Sequence, residues 1–211
     1  MSPVPPRPEP VRIAGPAGAI EALLEDPQRA PRTGFGVICH PHPLHGGTMQ
    51  NKVVHTLARA LQELGLPTLR FNFRGVGESE GVYDEGRGES ADALAVIHWG
   101  RARWPDTPLV LAGFSFGAMV ALRIAAAAQP ARLITVAPPV TRQQLQDIAP
   151  PLCPWLIVQG EADELVDYRE VQAWAARFDP PPLLRLLPGV DHFFHGRLHE
   201  LRAAIIDRHG S

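Results

Sequence analysis

Residues 109–125 read "LVLAGFSFGAMVALRIA". The first six are a short apolar run of the kind a strand buried on both faces requires. Gly113-Phe114-Ser115-Phe116-Gly117 follows, and then an unbroken helical stretch rich in alanine. Strand, sharp turn and helix with G-x-S-x-G between them is the setting in which a serine can serve as a nucleophile. Ser115 must take strained backbone angles to stand clear of the sheet, and Gly113 and Gly117 let strand and helix approach closely. The helix start would also place the Phe116 N–H and a partial positive charge beside a developing oxyanion. The other reading of the same residues is a small-residue helix start in which Ser115 is an ordinary N-cap.

Working outward, the pattern alternates. "VRIAGPAGAIEALLE" reads as a hairpin about "GPAG", and "GFGVICH", "PTLRFNF", "PLVLAGF", "ARLITVA", "PWLIVQG" and "PLLRLLPG" read as strands. Amphipathic helical stretches lie between them. "TMQNKVVHTLARALQELG" carries Val53, Leu57, Ala60, Leu61 and Leu64 on one face, and "ESADALAVIHWGRARW", "YREVQAWAARF" and "HGRLHELRAAIIDRHG" behave similarly. This alternation predicts an α/β fold: a mostly parallel sheet of about eight strands flanked by helices. Five prolines in residues 1–10 predict an extended lead-in, with one domain over 11–211.

A serine alone is a poor nucleophile and needs a base and an orienting acid, which should follow it in the order acid, then histidine. "PWLIVQGEADELV" is a buried strand emptying into an acidic loop, and "LLRLLPGVDHFFHGRL" is a strand that reaches a histidine after a glycine turn. The candidates are Ser115, Asp163 and His192, all at C-terminal strand ends, where open α/β sheets build their sites. Glu161, Glu164 and Asp191 rival Asp163, although Asp191 adjoins His192 and is poorly placed to accept from its Nδ1–H. His195 and His199 rival His192 but are read as solvated faces of the last helix. Arg74, in "NFRGVGESEG", is read as tying down a turn rather than contacting substrate.

Together these segments resemble the α/β-hydrolase superfamily almost end to end. "GFSFG" is similar to its nucleophile elbow, "QGEADELV" to its acid loop, "GVDHFF" to its histidine loop and "FNFRGVGESEG" to the turn after its fourth strand. "HPHPLHGGTMQNK" resembles the oxyanion loop of bacterial lidless serine hydrolases with an H-P-H-P-x-x-G-G motif. The resemblance favours Asp163 as the acid. It implies that His42, two residues after His40, gives the second oxyanion N–H beside that of Phe116. Leu44 is the fallback donor, since Pro43 has no N–H.

His40, His42 and His45 also fall at the first, third and sixth places of the HxHxDH zinc signature. That signature needs an aspartate fifth, where Leu44 stands, and zinc needs further ligands from other loops, the best of which the serine triad already uses. No metal and no cofactor are expected. Cys39 and Cys153 are too few for a disulfide framework and lie in apolar surroundings, so buried thiols are expected.

A formal charge of −2 in 211 residues leaves no electrostatic footprint for nucleic acid or anionic lipid. The N-terminus has no secretory h-region, and the longest apolar run is too short to span a bilayer, so a cytoplasmic protein is expected. "APPVTRQQLQDIAPPLCPW" has room for one short helix, "TRQQLQDI", and no cap, which implies an open site. The expected partner is therefore a small-molecule ester with a short acyl chain, handled by a carboxylesterase-type serine hydrolase. Thioester, lactone and peptide hydrolysis share that chemistry, and a non-catalytic binding protein on the same fold is the alternative from another class.

Overall fold

The computed structural model describes residues 7–27, 33–146 and 148–207. Eight strands form one sheet in the order β1-β2-β4-β3-β5-β6-β7-β8. β1 (Glu9–Gly15) and β2 (Gly18–Glu25) pair antiparallel across a two-residue turn, and β2 pairs antiparallel with β4 (Thr68–Phe71). The remaining neighbours are parallel: β3 (Phe35–Cys39), β5 (Leu109–Phe114), β6 (Arg132–Val136), β7 (Trp155–Gly160) and β8 (Leu183–Leu187), with β4 beside β3.

The central strands β3 and β5 are apolar throughout because alternate residues feed two cores. In β5, Leu109 and Leu111 point to one and Val110, Ala112 and Phe114 to the other. The first core is closed by α2 (Arg87–Arg103), α3 (Phe116–Ala128) and α4 (Tyr168–Ala175). The second is closed by α1 (Lys52–Glu63) and α5 (Leu198–Ile206). α1 starts where Asn51 Oδ1 accepts the N–H of Val53 at 2.9 Å, buries Val53, Val54, Leu57 and Leu61, and stops before Gly65, which takes φ +86°. Each buried leucine of that face contributes about 1.5–3 kcal/mol by leaving water.

Three expectations need correction. Glu9 and Pro10 are not lead-in but the first residues of β1, paired with Leu24 and Leu23; residues 1–6 lie outside the described part. The described residues of "TRQQLQDI" form no α-helix but one 3-10 turn, Gln143–Leu145. Its Leu145 is buried and its carbonyl accepts from Trp174 Nε1 at 3.1 Å, so the segment is fixed to α4 instead of winding on itself. α2 begins at Arg87, ahead of Glu89, because the Glu89 carboxylate turns back to accept the N–H groups of Asp84 and Gly86. Among the described residues no helix is long and apolar enough to cross a membrane.

Candidate active site

Ser115 sits between β5 and α3 at φ +53°, ψ −117°, a conformation that costs a non-glycine residue of order 1–3 kcal/mol. Its N–H is held by Val136 C=O at 2.8 Å. Although it occupies the helix N-cap position, its side chain makes no capping hydrogen bond. The N-cap reading therefore fails, and the hydroxyl is left for other use. The flanking glycines are sterically required. A Cβ on Gly113 would lie 2.2 Å from Gly117 O, and one on Gly117 would lie 2.2 Å from Cys39 O.

Asp163 and His192 come together from the ends of β7 and β8. Asp163 Oδ2 accepts from His192 Nδ1 at 2.8 Å, and both side chains are almost fully buried. The same oxygen accepts from Gln159 Nε2 at 2.9 Å, and Oδ1 accepts from the N–H groups of Leu165 (2.9 Å) and Val166 (2.8 Å). Burial alone would raise the Asp163 carboxyl. The hydrogen bond and charge of His192 and the two loop N–H groups outweigh it, and hold the acid below the ordinary carboxylate range. An ionised acceptor at Nδ1 puts the imidazole proton there and leaves Nε2 as a base. The His192 ring packs on Phe114, the residue before Ser115, at 5.1 Å between centroids.

The rival acids are accounted for. Asp191 pairs with His195, at 2.8 Å to Nδ1 and 2.9 Å to the backbone N; His195 is exposed, as expected, but lies ahead of the last helix and not on it. Glu164 is exposed, as expected, and also accepts from the His192 N–H at 3.3 Å. Glu161 and the His199 side chain are exposed. Arg74 grips Asp92 of α2 with Nε and a terminal nitrogen at 3.0 and 2.7 Å, which makes it the structural arginine expected.

The loop after β3 is organised about His42. Its C=O accepts the N–H groups of His45 (3.1 Å) and Gly47 (3.0 Å), and its Nδ1 accepts that of Leu44 (3.3 Å). Leu44 N–H is thereby spent. The N–H groups of His42 and Phe116 donate to no described residue. His40 is fully buried, with Nε2 accepting from Phe73 N–H at 3.0 Å and Nδ1 at 2.6 Å from Pro41 O. An acceptor role for Nε2 makes Nδ1 the donor, so this ring has no lone pair for a metal. Burial lowers its pKa to about 4, which keeps it neutral. His42 and His45 stack at 4.4 Å. Cys39 is buried just before this loop, and burial pushes its thiol far up.

Several residues that hold this region drew no attention as sequence. Met49 N–H donates to Asn72 Oδ1 at 2.9 Å, and Arg70 donates to Met49 O at 2.8 Å and to buried Glu25 at 2.9 Å. An arginine in a β4 run that otherwise reads as core is the one signal that could have flagged the pair. Leu44, Val82, Leu165 and Phe193 are exposed apolar side chains, each within two residues in sequence of His42, Tyr83, Asp163 or His192.

The family model of the serine aminopeptidases, S33, matches residues 42–153. An alpha-beta serine hydrolase homologue from Coxiella burnetii is 48% identical with a TM-score of 0.92, covering 95% of this chain and 96% of that one. A serine hydrolase without lid from Xanthomonas campestris is 44% identical with a TM-score of 0.89, over 97% and 94% of the two chains. An uncharacterized protein of Rickettsia prowazekii is 34% identical over 203 residues, 92% of this chain and 85% of its own length. With the eight-stranded sheet and the strained serine between β5 and α3, these matches place the protein: it belongs to the serine aminopeptidase, S33, family of α/β serine hydrolases and has the lidless form of that fold.

Proposed function

We propose that the protein is a carboxylesterase-type hydrolase acting on small or short-acyl esters through Ser115, His192 and Asp163. One observation carries the reading: an uncapped serine at φ +53° ends β5, while a buried Asp163–His192 pair at 2.8 Å packs against the preceding residue.

In this mechanism Ser115 Oγ attacks the acyl carbonyl and His192 Nε2 takes the hydroxyl proton. Asp163 holds the ring by Nδ1–H and stabilises the imidazolium without itself being protonated. The carbonyl oxygen, now an anion, receives the N–H groups of Phe116 and His42, which are preorganised and otherwise unused. Collapse of the tetrahedral species breaks the ester C–O bond, and His192 returns the proton to the departing alcohol. Water, activated by the same imidazole, then hydrolyses the acyl-enzyme.

The open site supports small esters because no cap encloses an acyl chain. Among its described residues, the short passage from β6 to β7 holds only one 3-10 turn. The test is reaction of the protein with a fluorophosphonate, together with p-nitrophenyl acetate and aminoacyl p-nitroanilide assays. Labelling at Ser115 and ester cleavage lost by about 10⁶-fold in Ser115→Ala are expected. Ser115→Ala retaining a tenth of the activity overturns the nucleophile, and cleavage of the anilide but not the ester replaces the esterase reading by peptidase action.

A further inference from the structure

No motif marks Tyr83, yet it ends a chain of hydrogen bonds whose directions are forced. The Leu44 N–H can only donate, and its partner is His42 Nδ1. That nitrogen must therefore carry a lone pair. Burial, followed by the nearby charges of His45 and Arg142, holds the His42 pKa below its ordinary value and favours the neutral ring. A neutral imidazole with Nδ1 unprotonated keeps its proton on Nε2. Facing Nε2 at 3.3 Å is Tyr83 Oη, so the imidazole N–H donates and the phenol oxygen accepts.

Tyr83 is itself held firmly. Its ring packs against His42 at 5.2 Å and Phe116 at 5.9 Å, the two residues whose N–H groups frame the proposed oxyanion site. The turn that follows it is clamped by the buried Glu89 carboxylate, through Asp84 N–H at 2.9 Å and Gly86 N–H at 2.7 Å. Glu89, in the first turn of α2, thus holds the backbone that follows Tyr83, and the Tyr83 oxygen in turn meets the His42 ring.

We infer that Tyr83 is a positioning residue of the oxyanion loop, locking His42 in the Nε2–H form and so fixing the direction of the His42 backbone N–H. The inference rests on the proposed role of that N–H in binding the oxyanion. Without the phenol oxygen, the Nε2–H turns to water and the ring is free to flip. A flip breaks the bond from Leu44 and loosens the turn on which the His42 peptide is hung.

The experiment is a double-mutant cycle on the full chain, measuring kcat and KM for p-nitrophenyl acetate in Tyr83→Phe, His42→Asn and the double variant. Asparagine keeps a side-chain acceptor for Leu44 N–H but is too short to reach Tyr83. Tyr83→Phe should lower kcat about three- to tenfold with KM changed less than about twofold. In the His42→Asn background it should cost less than about 1.5-fold. An equal cost in both backgrounds, no cost in the wild type, or a rise in KM alone overturns the inference. A second readout needs no substrate: ¹⁵N-histidine NMR at mildly alkaline pH, with His42 assigned by its loss in His42→Asn. The wild type should show the Nε2–H form and Tyr83→Phe a mixture of both forms. A wild-type Nδ1–H form, or a spectrum unchanged by Tyr83→Phe, overturns the lock. If the protein cleaves no ester, the proposed function fails while the NMR result still decides the lock.

Discussion

The elbow and the oxyanion loop meet at the N-terminus of α3, and they are built on opposite principles. The elbow is five consecutive residues that themselves carry what it demands: two positions without a Cβ, one facing Gly117 O and the other Cys39 O, and one serine at positive φ. The oxyanion loop holds its shape through distant partners. Phe73 N–H fixes His40, Asn72 and Arg70 fix Met49, and Tyr83 meets His42. A steric demand writes itself into neighbouring residues, whereas a polar support can be supplied from anywhere the fold brings near. The reacting groups should therefore be sensitive in activity, and the supports in stability and pH response.

The largest expected effect is on the reacting side. Asp163→Asn keeps the size of the acid but leaves His192 free to present the wrong nitrogen, so kcat should fall roughly 10³- to 10⁴-fold with KM little changed. Steady-state kinetics beside Glu161→Gln and Glu164→Gln, each expected to cost less than about tenfold, checks the assignment. A crippled Glu164→Gln with a mild Asp163→Asn would move the acid to the neighbouring residue.

Next comes the support. Arg70→Ala strands the Glu25 carboxylate, whose pair is buried to within 3% on both sides, and should destabilise the protein by about 3–5 kcal/mol in denaturant unfolding. Replacing both partners with apolar residues, Arg70→Met with Glu25→Leu, should recover most of that loss. A double variant as unstable as Arg70→Ala would show that the bond to Met49 O, not the buried charge, is what matters.

His40 sharpens the same contrast through pH. Its folded pKa of about 4 lies below the ordinary 6.5, so the unfolded chain takes up the proton first as pH falls. The stability it contributes is complete above about pH 6.5 and is lost progressively toward about pH 4, up to about 3 kcal/mol. Urea unfolding across that range should show the slope, and His40→Gln should flatten it. An equal slope in the variant would assign the acid sensitivity to other groups.

The smallest effect concerns acyl length. Leu44, Val82, Leu165 and Phe193 are exposed, and the passage from β6 to β7 supplies no cap to enclose an acyl chain with them. Each added methylene from acetate to butyrate should therefore change kcat/KM by less than about fourfold, the value of full burial at about 0.8 kcal/mol, with no further gain by octanoate. A steep rise to decanoate would reveal an enclosed apolar channel.

Much of the fold was legible because its signals are periodic or local. Continuous apolar runs mark strands buried on both faces, and Gly65 marks the end of α1, whereas its start lies at the Asn51 cap, three residues beyond Thr48, the first residue of the helical stretch that the pattern predicts. Legibility failed where a tertiary contact outbid a local preference. The 141–148 stretch has helical composition, but among its described residues it forms one 3-10 turn, held to α4 through the Leu145 carbonyl. Glu164 looked like any loop charge, and only the fold of the β7 and β8 loops brings it to the His192 N–H.

The sequence by itself determined the sheet, the lidless passage and the strand ends that carry Ser115, the acidic loop and His192, since each follows from residue type and order along a few consecutive positions. Tertiary structure alone decided which acid faces His192, which histidines of the 40–45 loop are buried or stacked, and that Leu44 N–H is spent on His42. It alone joined Tyr83 to His42 across 41 positions. The physical reason is range. Steric and hydrophobic requirements repeat along the chain with the period of its own backbone, whereas a hydrogen bond between distant segments leaves no spacing behind it to read.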